Sequence, residues 1–148
     1  MRFQYLVWTD IISHVVDMLI AYALALPIGW DREAATRGGA GLRTFPIVAM
    51  ASCGFILIGN GVFGQKSPEL ANILYGLIVG IGFIGSGTIL KDGSEPSSNA
   101  TAASVWVTGA IGAATGFALY DVALVLSVVT FLSLRTKRAD RNNTEKGK

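Results

Sequence analysis

Cysteine and histidine each occur once in this 148-residue chain, as Cys53 and His14, and their scarcity removes several kinds of chemistry. One cysteine forms no intrachain disulfide and no cysteine-based metal cluster. One histidine builds neither an H-E-x-x-H zinc site nor a Ser/His/Asp constellation. A G-x-x-x-x-G-K-[ST] phosphate loop is absent, which argues against an intrinsic ATPase. Charge is scarce too: 15% of the residues are Asp, Glu, Lys or Arg, against about 25% in soluble domains. A net charge of +2 is too weak to suggest nucleic acid. No enzyme activity and no nucleic-acid partner are therefore expected. The N-terminus lacks the order of basic region, short apolar core and small-residue cleavage site that a removed signal peptide needs, so the first apolar segment is expected to stay.

What is present in abundance is apolar length. Hydrophobic residues make up 51% of the chain and the mean hydropathy is +0.51. A bilayer span takes about 20 mostly apolar residues. Five such segments are legible, at about 11–30, 44–63, 70–90, 100–117 and 119–134, which predicts an all-α polytopic membrane bundle over residues 1–134 and a basic tail over 135–148. Gly116 and the Tyr120-Asp121 pair mark a tight hairpin between the last two spans. Lys and Arg then set the orientation. One side receives Arg32, Arg37, Arg43, Lys91 and the six basic residues of the tail, whereas the other receives only Arg2 and Lys66. The N-terminus is expected outside and the C-terminus in the cytoplasm, with the lipid bilayer as the first partner. Trp8, Trp30 and Trp106 and Tyr5, Tyr75 and Tyr120 lie mostly near the span ends, where amphipathic rings favour the interface.

Charge is concentrated in the link from Gly29 to Thr44, where Asp31, Arg32, Glu33, Arg37 and Arg43 fall within thirteen positions. Asp31, Glu33 and Asp92 are hard oxygen donors of the kind Mg²⁺ prefers, and Asp31, one turn past Pro27, is the best metal candidate of the three. The competing reading, adopted here, pairs these acids with Arg32, Arg37 or Arg43. Asp17 lies inside the first span. An ionised carboxylate at mid-span costs about 2.5–3.5 kcal/mol on insertion scales, so Asp17 reads either as a cation or proton site or as a structural acid paired with His14 or hydrated.

Small residues on one helix face mark protein-facing surface in a bilayer. The first span carries His14, Asp17, Ala21, Ala25 and Gly29 on one stripe; the fourth carries Thr101, Ser104, Thr108, Gly112 and Thr115; the third carries Gly76, Gly80, Gly82, Gly85 and Gly87. These stripes predict that helices 1, 3 and 4 press together, that the glycine faces support a homo-oligomer, and that helix 5 faces lipid most. Pro27 is expected to kink the first helix and leave a carbonyl near Ala23 in need of a partner. Segments 1–2 and 3–4 hint at a parallel internal repeat. Gly80 to Gly85 fits G-x-G-x-x-G, but inside an apolar run it lacks the βαβ setting of a dinucleotide site. Ser97, Ser98 or Asn99 reads as the cap of helix 4.

Pro27-Ile28-Gly29-Trp30-Asp31-Arg32-Glu33, Gly41-Leu42-Arg43-Thr44, Gly80 to Gly87 with Lys91, and Thr101-Ala102-Ala103-Ser104-Val105-Trp106 follow one another as the motifs of the MgtC/SapB family do, and the chain resembles that family over about residues 20–120. The resemblance implies a bacterial inner-membrane protein connected with magnesium homeostasis, growth in low Mg²⁺ and, in intracellular pathogens, survival in macrophages. It implies Mg²⁺ as the one candidate cofactor or cargo and the F-type ATP synthase as a possible membrane partner. Asp31 stands where the family usually has Glu, and Ala100 where it often has a polar residue. The short basic tail leaves no room for the soluble ACT-like domain of some members. The expected function is a non-enzymatic modulator of membrane partners, and the alternative is an oligomeric Mg²⁺ transporter or channel.

Overall fold

The computed structural model describes residues 8–35, 41–92 and 96–146. They form five helices: α1 (Trp8–Ala35), α2 (Thr44–Phe63), α3 (Glu69–Asp92), α4 (Pro96–Gly116) and α5 (Tyr120–Lys146). Each expected span has its helix. The first, third and fifth run past their expected bounds, the fourth begins four residues before its expected start, and α5 carries helix through most of the basic tail. By length and composition α1, α2 and the Glu69–Leu90 stretch of α3 can cross a membrane. The buried hydroxyls of α4 and the charged end of α5 make those two helices less apolar.

Helix ends follow from local chemistry. The Gly41 carbonyl accepts the N–H groups of Thr44 at 3.0 Å and Phe45 at 3.2 Å, closing the first turn of α2. Gly64 ends α2 at φ +87°, with its N–H on the Asn60 carbonyl at 2.9 Å; that backbone is open to glycine at no steric cost. At the end of α4, Ala118 donates to Thr115 and Leu119 to Ala114, both at 2.9 Å, and Ala118 itself takes φ +58°. This pairing is the Schellman pattern, which usually places glycine where Ala118 stands. The sharp turn expected at Gly116 is thus made two residues later, because Gly116 is spent on packing: a Cβ there would lie 2.9 Å from the Cys53 carbonyl and 2.7 Å from Ile56 Cβ.

α4 is the centre, touching each of the other four helices, which form an arc around it in the order α3, α2, α1, α5. The expected cluster of helices 1, 3 and 4 is corrected here: α1 and α3 both pack on α4 but not on each other, since α2 lies between them. The α2–α4 seam is the tightest, because a Cβ on Gly112 would run into the Ala49 carbonyl and a Cβ on Gly116 into the backbone one turn further on. Gly109 leaves room for Ile81 of α3. The main core joins Ile28, Phe45, Ile81, Val105, Ile111, Ala114 and Ala123, so all five helices contribute to it. α1 and α5 run parallel in constant register, for Asp17 meets Tyr120 and Leu24 meets Ser127, each pair 103 residues apart.

α3 ends the arc on one side. Gly85 packs on the backbone of Ala102, but nothing lies within 4 Å of a Cβ built on Gly76, Gly80, Gly82 or Gly87. Phe83 and Leu90 are exposed beside them, and α5 exposes Val122, Leu124, Val125, Val128, Val129 and Leu132. Both arc ends, α3 as much as α5, present apolar side chains outward.

Candidate functional site

The charged link folds back onto the end of α1. A Cβ on Gly29 would stand 3.2 Å from both the Gly41 oxygen and Leu42 Cα, so only a residue without a side chain lets the two segments meet. Glu33, four residues after Gly29, accepts the Leu42 N–H on Oε2 at 2.8 Å. Its carboxylate occupies the space where a side chain at Gly41 would go. Gly29 and Gly41, twelve residues apart, and Glu33 between them therefore act as one clasp.

Inside this clasp Asp31 and Arg32 are 4% and 5% exposed, and Arg32 Nη2 donates to Asp31 Oδ2 at 2.5 Å. Consecutive residues on a helix do not face each other, so Arg32 must fold its long side chain back to reach its neighbour. The reason is electrostatic. A carboxylate in the last turn opposes the helix dipole, an arginine there complements it, and the pair keeps both charges compensated where water is excluded. Of the arginines that the sequence offered, Arg43 is exposed at the N-cap of α2, with no ion pair to it among the described residues. Arg37 lies outside the described residues, as does the side chain of Asp92 at the end of α3. From α4, Thr101 and Ser98 are buried at this same end of the bundle.

Asp17 lies fourteen residues earlier on α1, about 21 Å along the axis at 1.5 Å per residue. It is 8% exposed, and Tyr120 Oη donates to its Oδ1 at 2.6 Å. The partner is therefore Tyr120, at the start of α5, and not His14, which is exposed one turn away. Sequence reasoning missed Tyr120 because it assigned that ring to the interface; its spacing from Asp17 carries no local signal. Ala21 and Ala25 are fully buried against Ala49 and Cys53 of α2. Ser127 donates to the Leu24 carbonyl at 2.6 Å, beside the turn that Pro27 weakens, and α1 remains one helix through Pro27.

Between the two acids runs the hydroxyl face of α4. Thr101, Ser104, Thr108, Gly112 and Thr115 are all buried. Ser104 donates to the Ala100 carbonyl and Thr108 to that of Ser104, both at 2.7 Å, and Thr115 to that of Ile111 at 2.8 Å. The protons of Ser104, Thr108 and Thr115 are thus used within the helix, which lets that part of the polar face pack without spending them across helices. A Mg²⁺ cage asks for several oxygen ligands in near-octahedral array. Among the described residues no three His, Cys, Asp or Glu come together, and Asp31 faces a guanidinium. This donor set fits an ion pair better than a metal cage. An apolar groove of about 560 Å³ opens between α2 and α3, with Phe55, Ile73 and Ile84 on its walls and Gly76 and Gly80 beneath.

A chain of five helices, three of them long and apolar enough to cross a membrane, with two buried acids held inside the bundle, is an all-helical membrane protein. It belongs to the MgtC family, whose model matches residues 18–142. It is 36% identical to Protein SrpB of Synechococcus elongatus, over 79% of this chain and 70% of that protein. It is 32% identical to "Putative magnesium transporter YhiD" of Escherichia coli K12, over 81% of this chain and 58% of that protein, and 32% identical to Protein MgtC of Brucella abortus, over 83% of this chain and 50% of that protein. The chain thus spans only 58% of the YhiD relative and 50% of the MgtC relative. No solved structure matches it.

Proposed function

We propose that this chain is a multi-pass protein of the bacterial inner membrane, N-terminus outside and C-terminus cytoplasmic, that serves magnesium homeostasis and adaptation to low Mg²⁺ as a non-enzymatic modulator of other membrane proteins. The observation that carries the reading is the buried Asp31–Arg32 pair. An acid committed to an internal cation fixes the shape of the loop and is not presented to a passing ion. The Lys and Arg distribution supports the orientation, and the magnesium wording in the name of YhiD supports the physiological setting. The F-type ATP synthase is the membrane partner to test first, on the family resemblance.

The second reading is an oligomeric Mg²⁺ transporter. It draws on the open glycines of α3 and the adjoining groove, since a path between copies needs a face on which copies meet. The two readings separate in a strain deleted for its own MgtC-family protein and grown in low Mg²⁺. Expression of this chain should restore growth with cellular Mg²⁺ uptake unchanged. Restored growth accompanied by faster uptake supports the transporter instead.

A further inference from the structure

The groove along the seam of α2 and α3 has walls of unusual uniformity. α2 lines it with the ridge Ile47, Ala51 and Phe55 at spacings of four, and α3 lines it with Ile73, Gly80 and Ile84. Ile47, Phe55 and Ile84 are exposed, so the groove opens on the outside of the bundle. A Cβ on Gly80 would meet nothing within 4 Å, and the missing side chain therefore adds depth. Ser52 carries the one hydroxyl among the lining residues, and it donates to the Val48 carbonyl at 2.8 Å. No lining side chain has a polar group left to offer, so the occupant this surface fits is hydrocarbon.

Shape decides which hydrocarbon. At one end the helices touch, for a Cβ on Gly59 would stand 2.5 Å from Ile73 Cδ1 and 2.9 Å from Leu70 Cδ2. Toward the other end α3 leans on α4, where Gly85 packs at Ala102 and Ile81 takes the space that a side chain on Gly109 would fill. From Ile73 to Ile84 the groove runs about 16 Å, close to one leaflet of a hydrocarbon core about 30 Å thick. A partner helix crossing the bilayer would need about twice that length. The volume of about 560 Å³ over this length gives a cross-section of about 35 Å², less than half that of a helix about 10–12 Å across. A single acyl chain of one leaflet fits both dimensions.

A cation stands at the open end. Arg43 precedes Ile47 by one turn on the same ridge of α2, and it is exposed with no ion pair to it among the described residues. Side chains on a helix lean toward its N-terminus, which carries the guanidinium beyond the apolar walls to headgroup depth. The nearest acid in the loop, Glu33, is engaged by the Leu42 N–H. On α3, Asp92 lies about two turns past Ile84.

We propose that this groove holds one acyl chain of an anionic phospholipid whose phosphate rests on Arg43. Apolar walls one leaflet long, ending at an exposed arginine, complement such a lipid in both chain and charge. The orientation given above puts the lipid in the cytoplasmic leaflet, and binding in detergent tests the site independently of that orientation.

The test uses the full chain, delipidated in a non-phospholipid detergent and titrated with dioleoyl phosphatidylglycerol or dioleoyl phosphatidylcholine, with bound lipid counted by native mass spectrometry. One lipid should bind saturably per chain, phosphatidylglycerol about fivefold more tightly, as expected for one arginine beside an anionic headgroup. Arg43→Gln should remove that preference and leave phosphatidylcholine binding unchanged. Gly80→Leu should weaken both lipids about tenfold, as expected for about two methylenes displaced from the groove, with its unfolding temperature in lipid-free detergent unchanged. Gly76→Leu, also facing open space, serves in its place if Gly80→Leu does not fold. The absence of a saturable lipid overturns the proposal. So does binding that neither leucine weakens, since the lipid is then a member of the surrounding annulus, and so does a headgroup preference that survives Arg43→Gln. A lipid-free dimer that the leucines disrupt also overturns it and gives the groove to a second copy.

Discussion

Tyr120→Phe isolates the contact that ties the start of α5 to the middle of α1. It removes one oxygen, the donor to Asp17 Oδ1 at 2.6 Å, and keeps the ring. A hydrogen bond to a charged group contributes about 1.5–3 kcal/mol. Asp17 is 8% exposed, so water replaces the lost donor poorly on its side, whereas Tyr120 is 41% exposed and already partly hydrated. Solvent screening at the tyrosine brings the expected loss to the bottom of that range or just below it, about 1–2 kcal/mol. The assay is equilibrium unfolding in mixed micelles, followed by helical circular dichroism, for the wild type, Tyr120→Phe, Asp17→Ala and the double variant. In the Asp17→Ala background the hydroxyl has no carboxylate to serve, so Tyr120→Phe should cost little there, leaving a coupling of about 1 kcal/mol. Losses that add within about 0.5 kcal/mol would refute the pairing.

Arg32→Gln should be more damaging, about 3 kcal/mol, because it strands Asp31 as a buried charge; adding Asp31→Asn should recover a large part of the loss in the same unfolding assay. Gly112→Ala pushes a methyl into the Ala49 carbonyl of a neighbouring helix and should destabilise by at least about 1–3 kcal/mol. Gly80→Ala meets open space and should leave stability within about 1 kcal/mol of the wild type in the same unfolding assay. Ala118→Gly should stabilise by about 1 kcal/mol in thermal unfolding, since it relieves a left-handed backbone at φ +58°.

Helix existence was legible because it is written locally, in apolar length and in small residues at spacings of three and four. The central place of α4 was half legible: its hydroxyl face announced burial, but nothing local said that all four other helices would meet there. Glycine is the weakest guide of all. Gly112 and Gly76 look alike in sequence, yet one admits a backbone and the other faces open space, because a missing side chain does not say what stands opposite. Gly29 and Gly41 were legible as parts of a motif, but not as two halves of one clasp. Asp31 was recognised as an acid amid arginines, and which arginine it meets depended on a fold-back that helical periodicity disfavours. Tyr120 and Ala118 were missed for a similar reason: a contact across 103 residues and a left-handed alanine leave no short-range trace.

The most direct measurement is Mg²⁺ flux into proteoliposomes holding the purified chain under an imposed gradient, for the wild type, Asp17→Asn and Asp31→Asn. With both acids held inside the bundle by Tyr120 and Arg32, the account predicts flux no greater than that of empty liposomes, from protein verified as folded and oriented. Flux above that level, abolished by either substitution, would contradict it and make the acids an ion path.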